Sequence, residues 1–131
     1  MLTRQISSGS AFEAIAGYSR ALVVEHADHR EVFVSGCTGF DYTTMTISPD
    51  VREQARQAFA NIAAALAQAG GDLSHLVRVR YYLTSADDWE AVAPVFGQCL
   101  SPSRPAATAL VCGLVDARMK IEIEADARIA P

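Results

Sequence analysis

Over residues 120–127 apolar and charged positions alternate without a break. Ile121, Ile123, Ala125 and Ala127 fall on one face of an extended chain, and Lys120, Glu122, Glu124 and Asp126 on the other. The same period of two runs through Val77, Val79, Tyr81 and Leu83, which alternate with Arg78, Arg80, Tyr82 and Thr84. Two further strands are predicted at 19–25 and 31–35, joined as a hairpin by the polar link HADHR. Residues 104–127 read as two strands with a short connection, the first being the apolar run after Pro105. Before Ser19 no period is visible, and the chain is predicted to start irregularly.

The period changes after Ile47. Val51, Ala55, Phe59, Ile62, Leu66 and Ala69 recur at steps of three and four, the apolar stripe of a helix. Ser48-Pro49-Asp50 offers a cap hydroxyl, a proline for the first turn and an early acid. Gly70-Gly71 closes the helix because glycine tolerates the left-handed stop. A second helix is capped by Ser85 with Asp88 three residues on, carries Asp87 at its start, and buries Trp89, Val92, Phe96 and Leu100. Pro94 inside it predicts a kink or early fraying. The order β-β-α-β-α-β-β implies an α+β fold, a mixed sheet with two helices on one face. The other face then presents Arg78, Arg80, Tyr82, Glu122 and Glu124, too mixed for a core and too patterned for plain surface. Self-association over that face is the economical solution, and closed symmetry would leave clefts between subunits.

Composition narrows the function further. The 131 residues make one domain, 1–131, half apolar and a fifth charged, as in an ordinary globular protein. No apolar run approaches the ~20 residues of a membrane span, and MLTRQISSGS lacks a signal-peptide core, so a cytoplasmic protein without membrane contact is expected. A net charge of -4 with scattered arginines suits a phosphate backbone poorly, which sets nucleic acid aside as main partner. Cys37, Cys99 and Cys112 contain no Cys-x-x-Cys pair, which disfavours a disulfide framework and a zinc site. Cys99 and Cys112 read as fillers of small apolar gaps. Cys37 lies in the glycine-flanked run Ser35-Gly36-Cys37-Thr38-Gly39.

Groups able to do chemistry are few. The 36–39 segment either presents backbone N–H groups to an anion or ends a strand in a turn. His26 and His29 have the spacing of a metal pair, but in a hairpin loop near Glu25 and Asp28 a solvated turn is favoured. His75 carries no signal. Nucleophile elbow, Walker loop, dinucleotide fingerprint and His-Glu-x-x-His are all missing from the sequence, and neither cofactor nor metal is expected. Glu122 and Glu124 share a strand face with side chains about 7 Å apart. Beside apolar neighbours such a carboxylate would have a raised pKa and manage protons near neutrality. Spacing alone favours the other reading, ion pairs with Arg78, Arg80, Lys120 or Arg128. Tyr18 reads first as a packing aromatic with a satisfied hydroxyl.

The order Pro105-Ala106-Ala107-Thr108, a short apolar strand, then Ile121-Glu122-Ile123-Glu124-Ala125 resembles the signature of the YjgF/Rid family of small trimeric proteins. Gly17-Tyr18, Val34-Ser35-Gly36, the helix with Asn61-Ile62 and Ala69-Gly70, and Val77-Arg78-Val79 through Leu83-Thr84 to Asp88-Trp89 extend the resemblance over nearly the whole chain. It implies a chorismate-mutase-like fold and a homotrimer with three inter-subunit clefts. It also implies hydrolysis, without cofactor or metal, of imines and enamines released by pyridoxal-phosphate enzymes, giving a 2-keto acid and ammonia. Glu122 matches the family's water-positioning glutamate and Tyr18 its pocket tyrosine. Backbone groups of Thr108 and Ala109 would face the reacting centre, and Gly36 and Cys37 would line the substrate. Ala107 stands where deaminase members carry an arginine that grips the substrate carboxylate. Arg104, three residues earlier, and Arg20, near Tyr18, are the candidates to replace it. The resemblance with this departure implies a Rid-type hydrolase of altered substrate recognition. The alternative is a non-catalytic ligand-binding or chaperone-like trimer using the same cleft. A nuclease or translation-inhibitor role, attached to parts of the family, fits the net charge least.

Overall fold

The structure, a computed structural model, describes residues 2–131. Its strands are β1 (Leu2–Ile6), β2 (Ala21–Glu25), β3 (Arg30–Thr38), β4 (Phe40–Asp41), β5 (Thr46–Ile47), β6 (Leu76–Leu83), β7 (Ala106–Val111) and β8 (Ile121–Ile129). Its helices are α1 (Ala11–Ala16), α2 (Val51–Gln68) and α3 (Trp89–Leu100). One mixed sheet has the order β1-β2-β3-β8-β6-β7, and β4 and β5 form a separate ribbon. Only the β6–β7 pair is parallel, because α3 carries the chain back over the sheet between them. This is the α+β arrangement the sequence predicts.

The alternating C-terminal segment becomes β8, in the middle of the sheet between β3 and β6. Ile121, Ile123, Ala125, Ala127 and Ile129 are buried under the helices. Helix α2 packs on β3 and β8 and is flanked by α3. Its predicted stripe is buried throughout, from Val51 to Ala69. Phe96 of α3 stacks on Tyr81 with ring centroids 3.9 Å apart and meets Phe59 edge-on at 6.1 Å, which locks α3 to both sheet and helix.

Several local expectations are corrected by particular contacts. The start is not irregular: β1 pairs with β2 from Leu2↔Glu25 to Ile6↔Ala21, and α1 follows. Of β1 only Ile6 is buried, so the sequence carries no alternation there to read. Asp50 rather than Ser48 caps α2, accepting from the Arg52 N–H at 2.8 Å. Ser85 caps the 3-10 turn Ala86–Asp88 that runs directly into α3. Pro94 does not break α3; the bond it forgoes would have gone to the carbonyl of Glu90, in the exposed first turn. Trp89 is 44% exposed, and Val95 takes its place in the core. Val77 is exposed because a bulge between Leu76 and Arg78 turns Leu76 inward instead. Cys112 is exposed and fills no gap. The hairpin and the glycine stop agree with expectation: Glu25 pairs with Arg30, and the Gly71 N–H returns to the Leu66 carbonyl at 2.8 Å behind Gly70 at φ +86°. Among the described residues no helix is long and apolar enough to cross a membrane.

One buried polar residue ties the sheet to α2. The Gln54 Nε2 donates to the carbonyls of Ser48 at 2.7 Å and Arg118 at 2.9 Å, and its Oε1 accepts from the Lys120 N–H at 2.8 Å. The entry to β8 is thereby fixed against the helix. Replacing Gln54 by Met keeps the volume but strands these partners. Gln54→Met is expected to destabilise the fold by on the order of 2–4 kcal/mol, read as a lower urea midpoint at unchanged slope.

Candidate active site

Where β3 runs beside β8 the pairing slips between Val34 and Cys37. Ser35 anchors the slip: its N–H donates to the Arg20 carbonyl at 2.9 Å and its hydroxyl to the Ser19 carbonyl at 2.7 Å. Gly36 then faces the side chain of Glu122 so closely that a Cβ would lie 2.8 Å from Glu122 Cδ and 2.9 Å from Oε2. Glycine at this bulge leaves that space to the carboxyl end of Glu122. It lets a carboxylate lie flat against backbone.

Glu122 forms no hydrogen bond or ion pair among the described residues, whereas its neighbours on the same face do. Glu124 accepts a hydrogen bond from the Tyr82 hydroxyl, and Asp126 stands 3.7 Å from Arg80. Arg128 is engaged with Glu31 at 3.1 Å. Ion pairing across the sheet therefore holds for Asp126 and leaves Glu122 out. Burial pushes the Glu122 carboxyl above the ordinary glutamate range; the charge of Arg20 opposes the rise and that of Glu124 adds to it.

Glu122 lies at the wall of a cavity of about 190 Å³. Tyr18, Thr38 and Tyr42 supply its other polar groups, and Phe12, Ile15 and Met119 most of its apolar lining. The apolar part is built by a second, small core of Phe40, Tyr42 and Met119, against which Phe12 and Leu114 pack. Phe12 meets Phe40 edge-on at 5.5 Å, and the Tyr42 hydroxyl accepts from the Thr38 N–H at 3.1 Å, so the walls are held by contacts of their own. An apolar recess with one under-partnered carboxylate and two phenols is equipped to hold an electrophilic carbon beside a water molecule.

Of the residues singled out in the sequence, Glu122, Tyr18 and Gly36 come together here. Cys37 adjoins them, but its side chain is fully buried on the core side and burial pushes its thiol up to about 11, so it neither lines the cavity nor serves as a thiolate. Arg20 is buried behind the wall and does not open into the cavity. Ala107, Thr108 and Ala109 are elsewhere. Strand β6 separates β7 from β8, so these residues lie two strand spacings, roughly 10 Å, across the sheet from β8. Ala107 moreover aligns with Val79 and Ala125, three positions along β8 from Glu122. Arg104, at φ +46°, lines a separate open groove with Phe96, Leu100 and Ser101. Phe12, Thr38, Tyr42 and Met119 were not legible as site residues, since they lie in turns, a short helix and a bulged strand end without period. His26, His29 and Glu31 do approach within 4.8 Å of one another. The two rings stack only 8° from parallel, so their in-plane lone pairs run side by side instead of converging on one point.

The family described as Endoribonuclease L-PSP matches residues 8–129. A goat (Capra hircus) protein named 2-iminobutanoate/2-iminopropanoate deaminase is 33% identical, over 100% of this chain and 93% of that protein. Protein DfrA of Myxococcus xanthus is 34% identical over 95% of each chain. A crystal structure of a YjgF/YER057c/UK114 family member from Mycobacterium tuberculosis has a TM-score of 0.86 at 35% identity, covering 98% of this chain and 100% of that one.

The buried Glu122 carboxyl makes the stability of the fold depend on pH. Because folding raises its pKa, its contribution to stability is full below the pH where an unfolded glutamate titrates and declines as pH rises through the folded pKa. Glu122→Gln removes that decline, so the melting temperature of the variant minus that of the unmodified protein is expected to increase with pH across this window. Gly36→Ala is expected to fold with nearly unchanged stability, since the atoms its Cβ meets belong to the mobile end of Glu122. The displaced carboxylate should then titrate at a pH different from the original, read by carboxyl ¹³C NMR.

Proposed function

Because the chain belongs to the endoribonuclease L-PSP family, the YjgF/Rid group, we propose that it is a cofactor-independent hydrolase of imines and enamines whose substrates need no carboxylate grip. The carrying observation is Glu122, left without a partner at the wall of an apolar recess beside Tyr18. The protonated imine carbon is electrophilic. Glu122 takes a proton from water as the oxygen adds to that carbon, giving a carbinolamine. Glu122 passes that proton to nitrogen, ammonia leaves with the C–N electrons, and the regenerated carboxylate takes the hydroxyl proton as the C=O bond forms. Tyr18 hydrogen-bonds the substrate. A carboxylate is well suited to this electrophile, since it attracts the cationic imine that must react.

Position 107 is where the sequence departs from the family signature it resembles. A bidentate arginine at position 107 would hold a substrate carboxylate, and Ala107 offers no charge. Losing such a contact in a desolvated cleft costs on the order of 2–5 kcal/mol, a hundredfold or more in rate on amino-acid-derived imines. The substrate class that remains is neutral or cationic imines with an apolar body, matched to the lining by Phe12, Ile15 and Met119.

We place the working site between subunits of a homotrimer. Two observations support this. Strand β7 is exposed along its whole length, and the sheet face opposite the helices carries Leu22, Phe33 and Leu110 in the open. We propose that a second copy covers that face and brings its Thr108 and Ala109 backbone to the recess that holds Glu122. The exposed thiol of Cys112 and the half-exposed Cys99 suit a reducing cytoplasm. The ribonuclease label of the family fits this chain poorly, because a net charge of -4 repels a phosphate backbone.

Purified protein is expected to accelerate ammonia and carbonyl release from freshly generated neutral imines more than from 2-iminobutanoate, and Glu122→Gln should abolish the acceleration. Ala107→Arg is expected to raise activity on 2-iminobutanoate by roughly a hundredfold. No rate above buffer with acidic, neutral and basic imines would overturn the hydrolase and favour a ligand-binding or chaperone-like trimer. Light scattering should give three times the 14.0 kDa of one chain.

A further inference from the structure

Arg20 is the bulkiest side chain in the protein to be fully buried, at 1% exposure, and nothing in the hydrolysis described above uses it. A guanidinium is removed from water only at considerable expense, so its surroundings show what it is held for. Its Nη1 donates to the Gly36 carbonyl at 2.8 Å and lies 3.6 Å from Cys37 Sγ, and its Nη2 donates to the Tyr18 hydroxyl at 3.4 Å. The plane of the group sits 4.2 Å from the centre of the Tyr42 ring. Its Nε has no hydrogen-bond partner and stands 3.9 Å from Glu13 Oε2. Three walls of the recess, Tyr18, Gly36 and Tyr42, are therefore gripped from behind by one residue.

We propose that Arg20 is the positioning residue of this pocket. Its fork holds the Gly36 peptide, against which the Glu122 carboxyl lies, and occupies the oxygen of Tyr18, and its charge is the counterweight to Glu122. An arginine suits this task because its planar, rigid fork aims donors at two acceptors in a fixed geometry, whereas a lysine is a point charge on a flexible stem. With the Tyr18 oxygen accepting from Nη2, the phenolic proton is free to point into the recess. The other ionisable groups facing this assembly are Glu124 beside Glu122 on β8, Tyr82 on β6, Tyr42, Cys37 on β3, and Glu13 of α1. Lys120, just before β8, is exposed, and Arg20 is the cation whose field reaches Glu122. Glu13 is held as an anion: burial would raise its pKa, but hydrogen bonds from Ser8 and Ser7 and the Arg20 charge outweigh this. Arg20 thus replaces nothing at position 107. It acts on the Glu122 side of the pocket.

This inference rests on the proposed hydrolysis only for its kinetic readout. The direct test is the titration midpoint of the Glu122 carboxyl, followed by ¹³C NMR in the intact chain. Arg20→Gln is expected to move that midpoint up by roughly one pH unit, and Arg20→Lys, which keeps the charge, by only a few tenths of that. The acid limb of kcat/KM for imine hydrolysis should move with the midpoint. A second measurement needs no change at Arg20: its guanidinium ¹⁵N signals should shift with the Glu122 midpoint, and this step should vanish in Glu122→Gln. A midpoint unmoved in Arg20→Gln, or Arg20 signals flat through the Glu122 titration, would overturn the proposal even if imines are hydrolysed. A moved midpoint in a protein that turns over no imine would leave the role of Arg20 standing and remove the hydrolase.

Discussion

Strand β8 is bound by two demands at once, and the remainder of the molecule is arranged around them. Its odd-numbered side chains must fill the space under α2, and pleating sends the intervening residues to the opposite face. A strand paired on both sides has no freedom to slip by one residue, because a slip would put five isoleucines and alanines into the open and a row of acids into the core. Glu122, Glu124 and Asp126 are consequently delivered to the open face. Gln54 fixes the point where this strand enters the sheet, by taking both the carbonyl of Arg118 and the N–H of Lys120.

Three acids on one face are equivalent in the pattern but not in the fold. Arg80 stands 3.7 Å from Asp126 and the Tyr82 hydroxyl donates to Glu124, so two of them have diagonal partners on β6. Glu122 pairs with Thr38 on β3, and its carboxyl end lies against Gly36 of the bulge, which has no side chain to offer. The absence of a Cβ gives the carboxyl room, and the apolar walls around it supply desolvation. Its charge is balanced at one remove, by Arg20 beneath the backbone, and this separation leaves the carboxylate oxygens available to the cavity.

The main elements were legible because each rests on a strong local signal. Period-two runs marked β2, β3, β6 and β8, and the stripe and glycine stop marked α2. The misreadings have separate physical causes. β1 is an edge strand with one buried residue, and α1 is held by its Ser10–Glu13 capping box and by packing of Phe12, with too few turns to show a stripe. The cap of α2 moved from Ser48 to Asp50, a change of two residues that depends on which side chain meets a free N–H. Trp89 has the spacing of a core residue, yet the chain enters α3 through a 3-10 turn that leaves it at the rim.

The sequence by itself determined the sheet, its buried face, the family, and the alanine at position 107, since these depend on residue type and spacing along one chain. It also placed Glu122 and Tyr18 among the residues to watch. The tertiary structure alone decided which acid is unpartnered, because that depends on the residue across the sheet and on a bulge whose register no linear pattern records. It decided as well that Cys37 is inert core, that Arg20 lies behind the pocket, and that Ala107 and Glu122 of one chain are held apart by the width of β6. Distance across a sheet is set by strand order, and strand order is fixed by how the helices pack.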